Sequence, residues 1–248
     1  MINMKKLLTL LTVTVAIGIG AHLDNSTVYA TNSNENSSNQ TKLYRQRDLE
    51  TDPQHEIPEK SQLPLGVQSI AINDNIPVFD ASLLETADPF YILSPLDQFG
   101  RAQMALGLLD ESLMPAESRG NNPKFKPSGW NQAKYDVVPG GWLYNRSHLL
   151  GWQLTGNNDF ENFITGTRYF NATGMLEYEN YVASQVESGK RIVYSVEPIY
   201  HEKDLVPYGV QMMGWAQDPN DSFQFNIFVP NEQAGVNIDY RDGSSSVQ

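Results

Sequence analysis

The 248-residue chain has no cysteine. Disulfides, thiolate-bound metals, a cysteine nucleophile and lipid attachment through cysteine are all excluded. Histidine is scarce, with four residues at positions 22, 55, 148 and 201. Positive charge is also short: 17 Lys and Arg stand against 29 Asp and Glu, for a net charge of −12. That balance argues against a broad basic surface that coats nucleic acid. It leaves room for a local grip on one phosphate, while the acidic surface favours solubility and limits non-specific adhesion to polyanions.

A long apolar run is missing except near the start. Lys5 and Lys6 precede an apolar stretch over residues 7–21, too short for a comfortable membrane span, and Val28-Tyr29-Ala30 suits a small-x-small cleavage site. Residues 1–30 are expected to be a secretory signal. Residues 31–61 are polar and read as a disordered lead-in. Residues 62–243 hold the globular part, and 244–248 form a tail.

Within the globular part the pattern is α+β, a mostly antiparallel sheet flanked by helices. Strands are expected over residues 66–72, 89–93 (a buried one), 101–110, 191–200, 206–216, 223–229 and 236–240. Pro139-Gly140-Gly141 suggests a hairpin over 135–144. Residues 115–129 read as a turn-rich loop. Ser147 is expected to cap a short helix over 148–154, and Thr173 a helix over 174–186 that stops at Ser188-Gly189.

His148 is the histidine with useful neighbours. It lies in Tyr144-Asn145-Arg146-Ser147-His148-Leu149-Leu150-Gly151, with Asn171 23 residues later and Glu179 eight beyond that. Hydrolysing a phosphodiester requires a base for water, neutralisation of growing phosphoryl charge, and a stabilised leaving oxygen. A neutral imidazole suits the first task. Mg²⁺ suits the others, because it keeps several waters and needs few protein oxygens. Asn171 could supply one direct oxygen. Glu179, about two helical turns on, would share its face if the helix began that early, and could hold metal-bound waters. Arg146 and Arg168 could hold phosphate oxygens through charge-assisted bonds.

Asn145-Arg146-Ser147-His148-Leu149 resembles a variant of the Asp-Arg-Gly-His motif of the DNA/RNA non-specific endonucleases, the ββα-metal (His-Me finger) nucleases. More closely, the chain is similar to secreted streptococcal DNases of the streptodornase and mitogenic-factor type. The match is also carried by Ser94-Pro95-Leu96-Asp97-Gln98-Phe99-Gly100-Arg101, Lys126-Pro127-Ser128-Gly129-Trp130, residues 162–171 around Thr165-Gly166-Thr167-Arg168, and Glu197-Pro198-Ile199-Tyr200. It runs from about residue 66 to 243.

The resemblance implies a ββα-metal nuclease fold and a secreted, monomeric endonuclease. Its cofactor would be Mg²⁺, with Mn²⁺ as a substitute, and its substrate DNA, with RNA left open. Cleavage would leave 5′-phosphate and 3′-hydroxyl ends. His148 would be the general base, Asn171 the metal ligand, Glu179 the holder of metal waters, Arg146 the motif arginine and Arg168 a phosphate contact. Asn162 falls where the family carries an Asn near the site. Asn145 and Ser147 depart from the motif Asp and Gly, and Ser147 requires a backbone that avoids glycine-only conformations.

Competing readings are a secreted host-binding protein with this fold and no catalysis, and a glycan hydrolase built on Glu177 and Glu179. The second is disfavoured because residues two apart on a helix point in different directions. His201 beside Glu202 and Asp204 reads as a turn rather than a second metal site.

Overall fold

The computed structural model describes Val28–Tyr29 and residues 57–248, apart from residues 65, 118–119 and 121–122. The expected signal segment, except Val28–Tyr29, and most of the polar lead-in therefore lie outside the described residues. So do Arg119, Asn121 and Asn122 of the turn-rich loop.

Eight strands carry the architecture: β1 (Ile70–Ala71), β2 (Phe90–Leu93), β3 (Ala105–Leu109), β4 (Tyr144–His148), β5 (Phe163–Thr167), β6 (Ile192–Ile199), β7 (Gly209–Ala216) and β8 (Gln224–Pro230). Six form one sheet in the order β1-β8-β7-β6-β3-β2, with every neighbouring pair antiparallel. The interior strands β6 and β8 are rich in β-branched and aromatic residues, the types that fit a pleated, buried surface. Val28–Tyr29 pairs separately with Val78–Phe79.

One face of the sheet is covered by a hairpin and a helix. β4 and β5 pair with each other, apart from the main sheet. Helix α1 (Leu176–Glu187) follows, burying Val182, Ala183 and Val186. These join Leu149, Leu150, Ile164 and Phe170 in one cluster with Tyr194, Val196, Met212 and Val229 of the sheet. Each fully buried aliphatic or aromatic side chain contributes about 1.5–3 kcal/mol. On the opposite face Leu108, Val193 and Trp215 pack with Phe79. The fold is therefore α+β with a hairpin-then-helix unit docked on an antiparallel sheet.

Several expectations shift. The strand expected over 66–72 shrinks to Ile70–Ala71. Residues 89–93 were expected to be a buried strand; β2 is an edge, and Ile92 is exposed. No helix starts at His148, because that residue ends β4; a four-residue helix, Trp152–Thr155, begins after Gly151. The second helix needs no Thr173 cap, since a π-helical segment (Phe170–Met175) already runs into α1. The Thr167 hydroxyl accepts from the Phe170 N–H at 3.0 Å, relieving a donor that a helix start leaves unpaired. The expected hairpin is present as an antiparallel bridge between Lys134 and Trp142, and Gly140 and Gly141 both take positive φ, which glycine adopts without strain. Ser245–Val247, in the segment read as a tail, pairs with Val236–Ile238.

Two of the quoted sequence stretches meet as a structural clip. The Arg101 guanidinium donates to Asp97 at 2.6 Å and to the Glu202 and Asp204 carbonyls, and it lies 4.4 Å from the Tyr200 ring centre. The Tyr200 hydroxyl donates to the Ala102 carbonyl. These residues fasten the turn after β2 to the turn after β6.

Candidate active site

Alternation along β4 sets Tyr144, Arg146 and His148 on one face of the strand. His148, at the strand end, lies opposite Phe163 and is buried, with the two ring centres 4.2 Å apart. Its Nε2 is 3.2 Å from Asn158 Oδ1. Beyond His148 the chain is held by Asn162. That side chain is fully buried, accepts from the Leu150 N–H at 2.8 Å, and donates to the Leu150 and Asn157 carbonyls. Asn162 thus binds the two loops that flank His148 to each other, and its carboxamide is committed to backbone.

Arg146 is held from two sides. Its Nε donates to the Phe125 carbonyl at 2.5 Å, and its guanidinium lies 4.4 Å from the Trp130 ring centre. It opens onto a pocket of about 520 Å³ lined also by Asn145, Trp142, Arg168 and Asn171. Arg168 is exposed, and its N–H bonds the Leu143 carbonyl, which seats the turn leaving β5. The pocket is locally cationic in an acidic protein, with exposed Lys124 and Lys126 beside its Pro123 wall.

The π segment governs how Asn171 and Glu179 relate. The Leu176 N–H bonds the Asn171 carbonyl, five residues back. In a regular α-helix eight residues turn through roughly 800°, leaving the two side chains roughly 80° apart. One residue absorbed in a π bulge makes eight count as seven, which closes the offset to roughly 20°. The bulge thereby aligns Asn171 with Glu179. A side chain at Gly151, three residues past His148, would bring its Cβ within 2.9 Å of Glu179 Oε2. The Glu179 carboxylate therefore packs against the backbone that leaves the His148 strand. It is also felt by Tyr194: burial first, then the Glu179 charge, push that hydroxyl well above its usual pKa.

The donor set suits a hard divalent cation. Asn171 faces the pocket and makes no side-chain hydrogen bond among the described residues, so its carboxamide oxygen is available. Among the described residues no three His, Asp or Glu cluster closely enough to cage an ion. An oxygen site with few protein ligands fits an ion that keeps its waters better than zinc in a closed nitrogen or sulfur site.

One of the two departures from the motif has a local explanation. Ser147 sits in extended strand and has no positive φ, so the position demands no glycine. Room for its buried hydroxyl comes from Gly166 across the hairpin, where a Cβ would overlap the Ser147 Oγ and the Phe170 ring. Asn145, where the motif has Asp, lines the pocket.

The structure thus gathers Arg146, Arg168 and Asn171 in one pocket. His148 and Glu179 lie outside its lining, His148 two residues along β4 from Arg146 and Glu179 against Gly151. Glu177 is turned elsewhere and accepts from the Gln68 side chain, so it forms no catalytic pair with Glu179. In the 201–204 turn the Asp204 N–H bonds the His201 carbonyl, and the Asp204 carboxylate pairs with Lys60 at 3.1 Å. Sequence reasoning missed Asn158, Gly151, Trp130 and Trp142. Asn158 had a signal, being a side-chain acceptor in a loop ten residues past the only well-placed histidine. Trp130 stood in a quoted stretch without a role.

A β-hairpin whose first strand ends in histidine and whose second strand feeds a helix carrying Asn and Glu, on an antiparallel sheet, defines the ββα-metal nuclease class. A model of the DNA/RNA non-specific endonuclease family matches residues 86–217, more than half of the chain, and the chain belongs to that family. Solved structures agree. NucA from Streptococcus agalactiae with magnesium ion bound is similar at 26% identity and a TM-score of 0.65, over 75% of this chain and 92% of that one. The same protein with no metal bound matches at 25% identity and a TM-score of 0.64, over 76% of this chain and 92% of that one. Sda1 nuclease with bound zinc ion matches at 26% identity and a TM-score of 0.59, over 64% and 81%. The protein is a nuclease of the streptococcal type within this family.

Proposed function

We propose that the chain is a secreted, divalent-metal-dependent endonuclease that hydrolyses DNA without regard to sequence, leaving 5′-phosphate and 3′-hydroxyl ends. The observation that carries this reading is the pocket that joins Arg146, Arg168 and Asn171 beside the His148 strand end. His148, oriented by Asn158, takes a proton from the water that attacks phosphorus. Arg146 and Arg168 hold the non-bridging oxygens. Asn171 would hold Mg²⁺, or Mn²⁺ in its place, with Glu179 steadying its waters. When bound, the ion would supply neutralisation of the charge that grows during phosphodiester cleavage. Contacts to phosphate and sugar leave base sequence unread.

The magnesium-bound NucA supports the choice of ion, and the zinc in Sda1 widens it to divalent metals. Export rests on the basic and apolar start of the chain, and residues 62–243 are the proposed catalytic domain, acting as a monomer. No helix among the described residues is long and apolar enough to cross a membrane. The test is cleavage of circular plasmid by residues 31–248 with Mg²⁺, with EDTA, and with His148→Ala. Degradation that needs both metal and His148 is expected. Full activity in folded His148→Ala protein would remove the assignment.

A further inference from the structure

Trp142 is the anomaly in the pocket. Half of this indole, 50%, is exposed, and it lines the pocket together with Arg146, Arg168 and Asn171. Leaving that much aromatic surface in water costs stability, and nothing in the hairpin requires it: the bridge to Lys134 uses backbone alone. The ring is nevertheless held. The Lys134 ammonium lies 4.2 Å from its centre, as the Arg146 guanidinium lies 4.4 Å from that of Trp130. Cations over aromatic rings fix their orientation, so a second flat group meeting them loses less freedom than it would on a mobile ring.

We propose that Trp142 receives an unstacked nucleobase next to the scissile phosphate, and that single-stranded DNA is the favoured substrate class. The inference rests on the nuclease reading of this pocket and deepens it. Arg146 and Arg168 offer phosphate contacts and Trp142 an exposed ring, all lining one pocket of about 520 Å³. That volume lies in the range of about 300–1,000 Å³ typical of small-molecule sites. Inside a duplex both faces of a base are already stacked, so an indole can meet a base face only after the base leaves the helix. In a single strand the base is available at little cost, and any base has a face to offer. Gln132 does not read base edges from this pocket. Its Nε2 donates to the Tyr144 carbonyl at 2.6 Å, and its Oε1 accepts from the Tyr144 N–H at 2.8 Å. A site that stacks without reading edges agrees with a sequence-tolerant nuclease.

The experiment compares wild type, Trp142→Ala, Trp142→Phe and His148→Ala with Mg²⁺ on matched single-stranded and duplex oligonucleotides. One tetrahydrofuran abasic residue is walked along the single strand. Base–aromatic stacking is worth about one to two decades of affinity. Trp142→Ala should therefore raise KM on the single strand about tenfold or more with kcat little changed, and Trp142→Phe should recover most of it. In wild type, one abasic position beside the cleaved bond should slow cleavage by a similar factor, and Trp142→Ala should lose that dependence. A His148-dependent enzyme whose single-strand KM is unchanged by Trp142→Ala, or whose abasic walk is flat, overturns this inference alone. Cleavage by His148→Ala at the wild-type rate overturns the reading of the site and the inference with it.

Discussion

Asn158 Oδ1 stands 3.2 Å from His148 Nε2, and the same loop is anchored one residue earlier, where the Asn162 side chain donates to the Asn157 carbonyl. The imidazole is therefore aimed by a loop that is itself clamped.

Asn158→Ala should lower kcat about tenfold while KM stays near the wild-type value, because the base loses its orientation and the substrate grip at Arg146 and Arg168 is untouched. Steady-state kinetics on plasmid DNA check this. For comparison, His148→Ala removes the base itself and should cost roughly 10²–10⁴. Wild-type kcat in Asn158→Ala would show that the contact does not orient the base.

Asn171→Ala should remove the response to metal. A ligand that binds the folded state alone raises stability by about 2.7 kcal/mol at a hundred times its dissociation constant. Melting temperature with and without Mg²⁺ reads this directly. The wild type should shift upward and the variant should not.

Gly151→Ala tests the placement of Glu179 without touching that residue. The backbone at Gly151, with φ −52, accepts alanine, and the new methyl would meet Glu179 Oε2 at 2.9 Å. The methyl meets the far end of a side chain rather than backbone, so the carboxylate is the group that shifts. Groups that steady a metal's surroundings typically govern 10–100-fold in affinity. An activity titration against Mg²⁺ should show the midpoint moved up about tenfold, with the melting temperature nearly unchanged.

Asp97 supplies a pH-dependent part of stability. Burial pushes its carboxyl up, but hydrogen bonds from the Arg101 N–H and guanidinium and from the Phe99 N–H outweigh that and hold its pKa below the ordinary 3.8. A folded pKa lower than the unfolded one stabilises at pH above the unfolded value, and the benefit is lost as pH falls through the folded value. Asp97→Asn should therefore melt earlier than wild type at pH 7, and the gap should narrow below about pH 4. Melting curves across pH 2–7 check the trend.

Much of the candidate site was legible in the chain because its parts are local. Apolar runs bounded by polar turns marked the strands β6 to β8, whereas the strand that carries Arg146 and His148 together was missed, because His148 was read as the start of a helix. The helix boundary was not legible. Thr173 is a good cap by composition, yet helical structure begins earlier because Thr167, Asn231 and Gln233 satisfy the amide groups at the turn. Asn231 and Gln233 lie more than sixty residues away, beyond the reach of any local pattern.

The sequence by itself determined the chemistry available: no thiol, one histidine in useful company, two arginines, and an Asn–Glu pair eight apart. It also determined the α+β class, since alternation and turn residues are short-range signals. Tertiary structure decided whether those groups could act together. The π bulge that aligns Asn171 with Glu179, the loop that delivers Asn158 to His148, and the bare Gly151 that admits a carboxylate all depend on segments brought into contact by burying one face of the sheet. Such contacts are set by the packing of the whole core: Asn171 and Glu179, or His148 and Asn158, share a window of sequence, but how each pair is oriented depends on what the rest of the chain packs against them.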